Sequence, residues 1–453
     1  MPIPVAPERV LPTLNADGTR NRIRPRPYDG PLLRARRVVA WALMALFVAL
    51  PLVRIHDKPA ILLDVMQRQF VLFGSTFLAT DGVLLMLMML AIFVTVVLTT
   101  ALVGRAWCGW ACPQTVYMEF LFRPLERLFE GPREAQLRID KAGGSTRRLA
   151  KNVVYLGLAF LLANVFLAYF VGTDALRHWV LEAPSQHVGG FTVVMVTAGL
   201  IFFDFAYFRE QMCTVICPYA RLQSVLLDTK SLVIGYDERR GEPRSKGKAK
   251  VLGHGDCIDC RACVVTCPTG IDIRQGLQLE CIACGQCADA CDSIMDRIKK
   301  PRGLIRYSSP AALQTGSPTR LLRVRVVVYA LILVALTGAL VMLGGKSDAS
   351  EITVLRGLGA PFSESGEQVI NQLRLKVRNR TDKPQRFEVQ VVDFPAAKIV
   401  APELPLAVAP AQQGVAPFFV VAPRSEVHGT RRVQIRVSDG HESQLVPSTL
   451  LGP

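Results

Sequence analysis

The chain has 453 residues, half of them hydrophobic, with a positive mean hydropathy of +0.29 and a formal net charge of +16. That balance belongs to the membrane class rather than to soluble proteins. The charge is high enough for a nucleic-acid ligand, but its distribution along the chain excludes that role, because it follows the order of the apolar segments.

Residues 1–37 carry Arg9, Arg20, Arg22, Arg24, Arg26, Arg34, Arg36 and Arg37, and read as a cytoplasmic segment ahead of an uncleaved anchor. Five segments then approach the roughly 20 apolar residues needed to cross a bilayer: 38–55, 83–103, 153–172, 188–208 and 324–345. The first is the shortest. The loop 104–151 carries nine Lys or Arg and 209–323 carries eighteen, whereas 54–82 and 173–187 carry three and one. This bias puts the N-terminus and both basic regions on the cytoplasmic side, and five crossings put 346–453 outside. The domain plan is therefore 1–37, a cytoplasmic segment; 38–208, four transmembrane helices with a cysteine motif; 209–323, a cytoplasmic region; 324–345, a fifth helix; and 346–453, an outer domain.

All twelve cysteines fall between Cys108 and Cys291, none of them in an outer loop or the outer domain. Cysteines confined to the reducing side read as ligands or redox thiols. Cys108-x-x-x-Cys112-Pro113 ends the second span, and Cys213-x-x-x-Cys217-Pro218 follows the fourth, at the same edge of the bilayer. Residues i and i+4 share a helical face with Cβ atoms about 5–6 Å apart. A disulfide wants about 3.8 Å. Two thiolates on one face suit a soft metal, copper(I) above all, although the prolines disfavour helix at the second cysteines and relax the argument. The plain alternative is inert buried thiols. Met212, next to Cys213, is a further soft donor, whereas Met86, Met88 and Met89 read as packing or lipid contacts. His56, His178 and His187 lie on outer loops, where they would meet incoming metal or be ordinary surface histidines, and His254 precedes the cluster region. Asp204, inside the fourth span, reads either as functional or as the partner of Arg209.

The region 228–301 reads as a soluble insert that opens on a basic, flexible stretch at 239–250. It carries Cys257-x-x-Cys260-x-x-Cys263-x-x-x-Cys267-Pro268, then Cys281-x-x-Cys284-x-x-Cys287-x-x-x-Cys291. Three closely spaced thiolates cap a cuboidal cluster and the fourth cysteine serves the other cluster. By that rule Cys257, Cys260, Cys263 and Cys291 hold one 4Fe-4S cluster, and Cys281, Cys284, Cys287 and Cys267 hold the second. A pair of zinc knuckles would need a longer separation between CxxC units. Asp292 follows Cys291 where a proline follows Cys267; proline donates no ligand, so the second site should survive. In the outer domain, 372–378, 386–392 and 432–437 alternate apolar and polar residues between turn clusters, which predicts a small Ig-like β-sandwich.

The segments Gly104–Thr115 (GRAWCGWACPQT) and Arg209–Gln223 (REQMCTVICPYARLQ), with the run from Gly255 through Cys281, resemble the cytochrome c oxidase accessory protein family, called CcoG, FixG or RdxA. The resemblance covers nearly the whole chain. It implies a multi-domain membrane protein of the bacterial inner membrane, with five transmembrane helices, a two-cluster ferredoxin-like cytoplasmic insert and a periplasmic Ig-like domain. It also implies reduction of copper(II) to copper(I) for assembly of a cbb(3)-type oxidase, with Cys108, Cys112, Cys213 and Cys217 handling copper as substrate or bound ion. Partners on that reading are oxidase subunits or copper chaperones and a cytoplasmic electron donor, with a homo-oligomer also open. Two alternatives stand beside it: a quinol dehydrogenase of the NapH type, against which the fifth span and outer domain argue, and a non-enzymatic copper chaperone or scaffold.

Overall fold

The computed structural model describes residues 9–453 apart from 12, 16–19, 56–57, 67–68, 79–81, 144, 246–254, 317, 319–321, 345–349, 358, 380, 382, 410–411 and 441. The chain divides into two compact units, Met1–Val341 and Met342–Pro453.

Among the described residues, four helices are long and apolar enough to cross a membrane: Gly82–Val103, Thr146–Val171, Val188–Phe208 and Val324–Leu343. The third of these ends in a π-helical turn, Asp204–Phe208. Four expected spans fall on these helices. The first differs from 38–55, because its helix starts earlier and ends sooner, at Pro31–Ala49. Its opening turns hold Arg34, Arg36 and Arg37, so length and composition alone do not single it out. Its C-terminal turn meets helix Thr146–Val171, where Phe47 stacks on Tyr169. The Leu33 amide donates to Asp289 (2.8 Å) at one end, the Tyr169 hydroxyl donates to the Phe47 carbonyl (2.6 Å) further along, and Arg54 pairs with Asp174 (2.5 Å) beyond the helix end. Nineteen residues at about 1.5 Å each give a rod of roughly 28 Å, close to the thickness of a hydrocarbon core.

The helices Thr146–Val171 and Val188–Phe203 meet through Ala163, Leu167, Val194 and Ala198, and the small side chains bring the backbones close where no hydrophobic force acts between helices in lipid. Phe122 wedges in from the connecting segment, stacking on Phe205 at 4.2 Å and meeting Tyr155 edge-on at 4.8 Å. The segment 54–78, unassigned by sequence, forms short antiparallel strands, including the meander Ile61–Asp64, Gln69–Leu72 and Ser75–Leu78.

In the insert, strands Val233–Tyr236 and Ile305–Ser308 pair antiparallel, so the two ends of the cysteine region are clasped together. Helix Gln286–Arg297 packs on them. Their core is Ile234, Ile271, Ile273, Met295, Leu304 and Ile305. The stretch 239–250 is not uniformly flexible. Glu238–Gly241 is a helical turn capped by Asp237, and Arg240 is pinned to Asp256 (2.5 Å) and the Arg302 carbonyl (2.9 Å). Residues 246–250 and His254 lie outside the described residues.

The second unit is a two-sheet β-sandwich. One sheet orders the strands Ser350–Arg356, Gln368–Asn379, Gln413–Pro423 and Lys398–Val400, with Ser363–Ser365 added on Gln368–Asn379. The other orders Leu406–Val408, Gln385–Val391, Thr430–Ser438 and Ser443–Leu451. The predicted strands 372–378 and 432–437 fall within these, and 386–392 runs one residue past the end of its strand. Alternation puts Leu373, Leu375, Val377, Phe418, Val420, Ile435 and Val437 inward. Asn371 bridges the sheets, its side-chain amide exchanging bonds of 2.8 and 2.9 Å with the Leu451 backbone.

Candidate electron-transfer centre

Each CxxxCP motif is a short helical piece broken at its second cysteine. Ala106–Trp110 carries Cys108, and the π-helical turn Met212–Ile216 carries Cys213. Cys112 and Cys217 are extended, with ψ of 125° and 109°, and each opens a new helix with its proline, Pro113–Tyr117 and Pro218–Leu226. Proline has driven each second cysteine out of helical geometry, so the strain argument from i,i+4 spacing does not apply to these pairs. The fold brings both motifs together. Burial pushes the Cys108 thiol up to about 12, with Cys112 and Cys217 adding to it and Arg105 opposing. Cys213 is pushed up by burial and then by Cys112, Cys108 and Cys217, and burial also raises Cys112. All four cysteines lie within electrostatic reach of one another. The Cys108 thiol donates to Gln223 Oε1 at 3.1 Å, and Gln223 in turn donates to Thr100.

The eight remaining cysteines line two cavities. Cys257, Cys260, Cys263 and Cys291 surround one, with Tyr236, Met295 and Ile305. Cys267, Cys281, Cys284 and Cys287 surround the other, with Cys263 at its border. Among the described residues no three His, Cys, Asp or Glu side chains converge closely enough to hold a single metal ion. Thiols spread around a cavity, rather than collapsed on a point, suit a cuboidal cluster. A second observation supports the fit. Arg36 is fully buried, and its charge bears on Cys284. Its Nε donates to the Gly109 carbonyl (2.8 Å), but Nη1 and Nη2 have no hydrogen-bond partner. Two orphaned guanidinium donors next to a cysteine-lined cavity match an anionic thiolate-ligated group. Replacing Arg36 with methionine should lower the midpoint potential of one cluster and leave the other in place. A spectroscopic redox titration checks this, and an unchanged pair of potentials would refute it. Asp292, in place of the second proline, caps the Gly303 amide at 2.8 Å.

Contacts run from one site to the next. Cys260 is exposed to solvent, Cys263 borders both cavities, and Cys108 packs in one apolar cluster with Ile282 and Cys284. Gly109 makes that last contact possible, because a Cβ there would stand 2.5 Å from the Ile282 carbonyl oxygen and 2.9 Å from Cys284 Cα. Arg105 clamps the junction from below, donating to the carbonyls of Leu279, Cys281 and Ala220. Trp110 Nε1 donates to the Tyr307 hydroxyl (3.0 Å), which donates to the Ala283 carbonyl (2.6 Å).

Beneath the second motif lies a buried ion network. Glu126 pairs with Arg209 (2.8 Å), Arg24 (2.5 Å) and Lys151 (3.4 Å). Glu210 pairs with Arg209 and Arg123 at 3.5 and 3.4 Å, and Arg123 also donates to the Pro268 carbonyl (3.2 Å). Arg209 is therefore held by Glu126 and Glu210, not by Asp204 as one reading of the sequence had it. Glu126 lies 83 residues away on helix Arg123–Glu130, too distant in sequence to be foreseen, whereas Glu210 is the adjacent residue and was overlooked. Gly109, Arg36, Gln223 and Glu126 were all missed as site residues; only Gln223, inside the second motif segment, and Gly109, inside the first, carried a local signal. Met86 and Met89 are exposed on helix Gly82–Val103. His187 stacks on Trp179 and pairs with Glu182 (2.5 Å); His56 lies outside the described residues.

Residues 208–310 match the family model of a 4Fe-4S dicluster domain, and 85–132, which contain the first CxxxCP motif, match a 4Fe-4S binding domain. Residues 340–453 match the Ig-like fold at the C-terminus of FixG. The chain is 35% identical to Protein RdxA of Cereibacter sphaeroides over 398 residues, 82% of each chain. It is 38% identical to the nitrogen fixation protein FixG of Rhizobium meliloti over 309 residues, 64% of this chain and 57% of that one. It is 22% identical to the ferredoxin-type protein NapH of Haemophilus influenzae over 284 residues, 58% of this chain and 88% of that one.

Proposed function

The chain belongs to the FixG/RdxA family of membrane iron–sulfur electron-transfer proteins, and from that premise we propose that it reduces copper(II) to copper(I) at the paired CxxxCP motifs for assembly of a cbb(3)-type oxidase. The observation that carries this reading is the packing of Cys108 on Ile282 and Cys284. It sets a soft-metal motif against a cluster-ligand loop. Cys257, Cys260, Cys263 and Cys291 would hold one 4Fe-4S cluster and Cys281, Cys284, Cys287 and Cys267 the other; when bound, these supply one-electron transfer, and each copper(II) takes one electron.

The thiols themselves are set up for capture. With Cys108, Cys112 and Cys213 raised by burial, these three are neutral thiols at pH 7. Copper(I) binding to two of them forms two Cu–S bonds and releases two protons, so affinity rises with pH. Thiolates favour copper(I) over copper(II), which couples reduction to capture. The positive-inside bias supports a cytoplasmic position for the motifs and clusters, with the Ig-like domain in the periplasm facing an oxidase subunit or a copper chaperone.

The test mixes anaerobic protein, its clusters reduced by dithionite and freed of excess reductant, with copper(II). Copper(I), trapped by a chelator, should form in step with cluster reoxidation. Changing Cys108, Cys112, Cys213 and Cys217 to alanine should slow this at least tenfold with both clusters retained. Reduced clusters that ignore copper would leave an electron carrier for another acceptor.

A further inference from the structure

In a β-sandwich each sheet packs one face inward and leaves the other to water, so outward positions are expected to be polar. The strands Gln385–Val391 and Thr430–Ser438 obey this, with Arg386, Glu388, Gln390, Arg432, Gln434 and Arg436 exposed. The long strand Gln413–Pro423 of the other sheet does not. It turns Val415, Pro417, Phe419 and Val421 outward, alternating with the buried Ala416, Phe418, Val420 and Ala422. Val415 is exposed, and so is Val400, which sits opposite Phe419 on the neighbouring strand. On the other side of this apolar row lies a basic one. Arg374 opposes Pro417, Lys376 opposes Val415, and Arg378 comes next along the strand. Lys398, opposite Val421, adds a fourth cation. Among the described residues, Glu351 is the one acidic side chain at an outward position of this sheet.

An apolar patch on the outside of a sandwich marks a binding surface, and the pattern selects the occupant. A second copy seated face to face would set four cations against four. A purely apolar partner would leave those cations without counter-charge. A bilayer surface serves both rows. Its interface takes up apolar side chains, and its anionic head groups attract lysine and arginine, whose long stems let the charge reach them. The chain also keeps that surface within reach. Only residues 345–349 separate the apolar helix Val324–Gly344 from strand Ser350–Arg356, a span of at most about 20 Å. That strand belongs to the patterned sheet, and its first residue, Ser350, pairs with Asn379 next to Arg378. The basic end of the row is thus the end tied to the apolar helix. We propose that the outward face of this sheet docks the β-sandwich on an anionic phospholipid surface. Phe419 and its apolar neighbours enter the interface, and Arg374, Lys376, Arg378 and Lys398 meet head-group phosphates. Docked in this way, the domain keeps its polar sheet, with Arg432 and Arg436, turned from lipid and open to a protein partner. The docking requires neither copper nor the clusters.

The test uses the full chain in nanodiscs of phosphatidylcholine with or without phosphatidylglycerol. The photo-crosslinker p-benzoylphenylalanine replaces Phe419 or, on the polar sheet, Gln434, and adducts are read by mass spectrometry after irradiation. Phospholipid adducts should form at 419 and be at least about fivefold fewer at 434. Omitting phosphatidylglycerol should lower the yield at 419 by at least about fivefold, and so should Arg374→Glu, Lys376→Glu and Arg378→Glu combined. High salt on the otherwise unaltered chain should act in the same direction, which keeps the test decisive where the triple variant fails to fold. Equal lipid adducts at both positions would overturn the docking. So would a yield at 419 that ignores phosphatidylglycerol and salt, cross-links from 419 to a second copy, or no adduct at all.

Discussion

Replacing Gly109 with valine should yield a protein with about half its iron, close to four rather than eight atoms per chain. The added Cβ would meet three backbone atoms of the 282–284 loop: the Ile282 carbonyl oxygen at 2.5 Å, Cys284 Cα at 2.9 Å and the Ala283 carbonyl carbon at 3.0 Å. Backbone cannot swing aside as a flexible side chain does. Either the helix Ala106–Trp110 retreats, losing the bond from Arg36 to the Gly109 carbonyl and the packing of Cys108 on Cys284, or the 282–284 loop moves and takes Cys281 and Cys284 out of place. Both routes strike the same cavity and spare the one lined by Cys257, Cys260, Cys263 and Cys291. Gly157→Ala, in a helix where the new Cβ meets nothing within 4 Å, is the control and should keep full iron. Iron analysis with electron paramagnetic resonance of the reduced protein decides it. Full occupancy in Gly109→Val would show that the close approach is not needed to hold the cluster loop.

Glu126→Leu should destabilise the first unit by about 3–5 kcal/mol, the usual cost of removing one member of a buried ionic group. The side chain is 3% exposed and faces Arg24, Lys151 and Arg209, all themselves buried. Deleting it leaves three cations without their shared anion. Burial alone would raise the Glu126 carboxyl, but Arg209 through charge and two hydrogen bonds, then Arg24 and Lys151, hold it well below the usual range. A depressed folded-state value means that its contribution is complete above an unfolded value of about 4.3 and is lost as the pH falls through the folded one. The wild type should therefore keep this stabilisation at pH 7 and lose it in strong acid, while Glu126→Leu lacks it throughout. The half-life of cluster absorbance at elevated temperature, compared at pH 7, measures the loss. The exposed pair Asp296–Arg302 provides the contrast, since Asp296→Ala should leave that half-life unchanged. Similar half-lives for Glu126→Leu and wild type would mean the network is screened by water.

The cysteine spacing, four of the spans and the β-domain strands were legible because each depends on residues near in sequence. A cluster loop needs its thiols two and three residues apart, a span needs a continuous apolar run, and a sandwich strand needs alternation. The first helix was misplaced because arginines interrupt its apolar run; the bonds of Leu33 to Asp289, Arg36 to Gly109 and Phe47 to Tyr169 show its course. The partner of Arg209 was misread for a related reason. Asp204 is five residues away, whereas Glu126 is 83 residues away and is delivered by a connecting segment whose path no local pattern encodes.

By itself, then, the sequence determined that this protein lies in a membrane and carries two ferredoxin-type cysteine runs, two CxxxCP motifs and a β-sandwich, since periodicity and spacing are properties of short segments. Only the tertiary structure decided that both motifs meet and that Cys108 rests on Cys284 across Gly109. It also decided that Arg36 faces a cluster cavity. Those are contacts between segments tens to hundreds of residues apart, settled by which helices pack together and which buried charges must find partners.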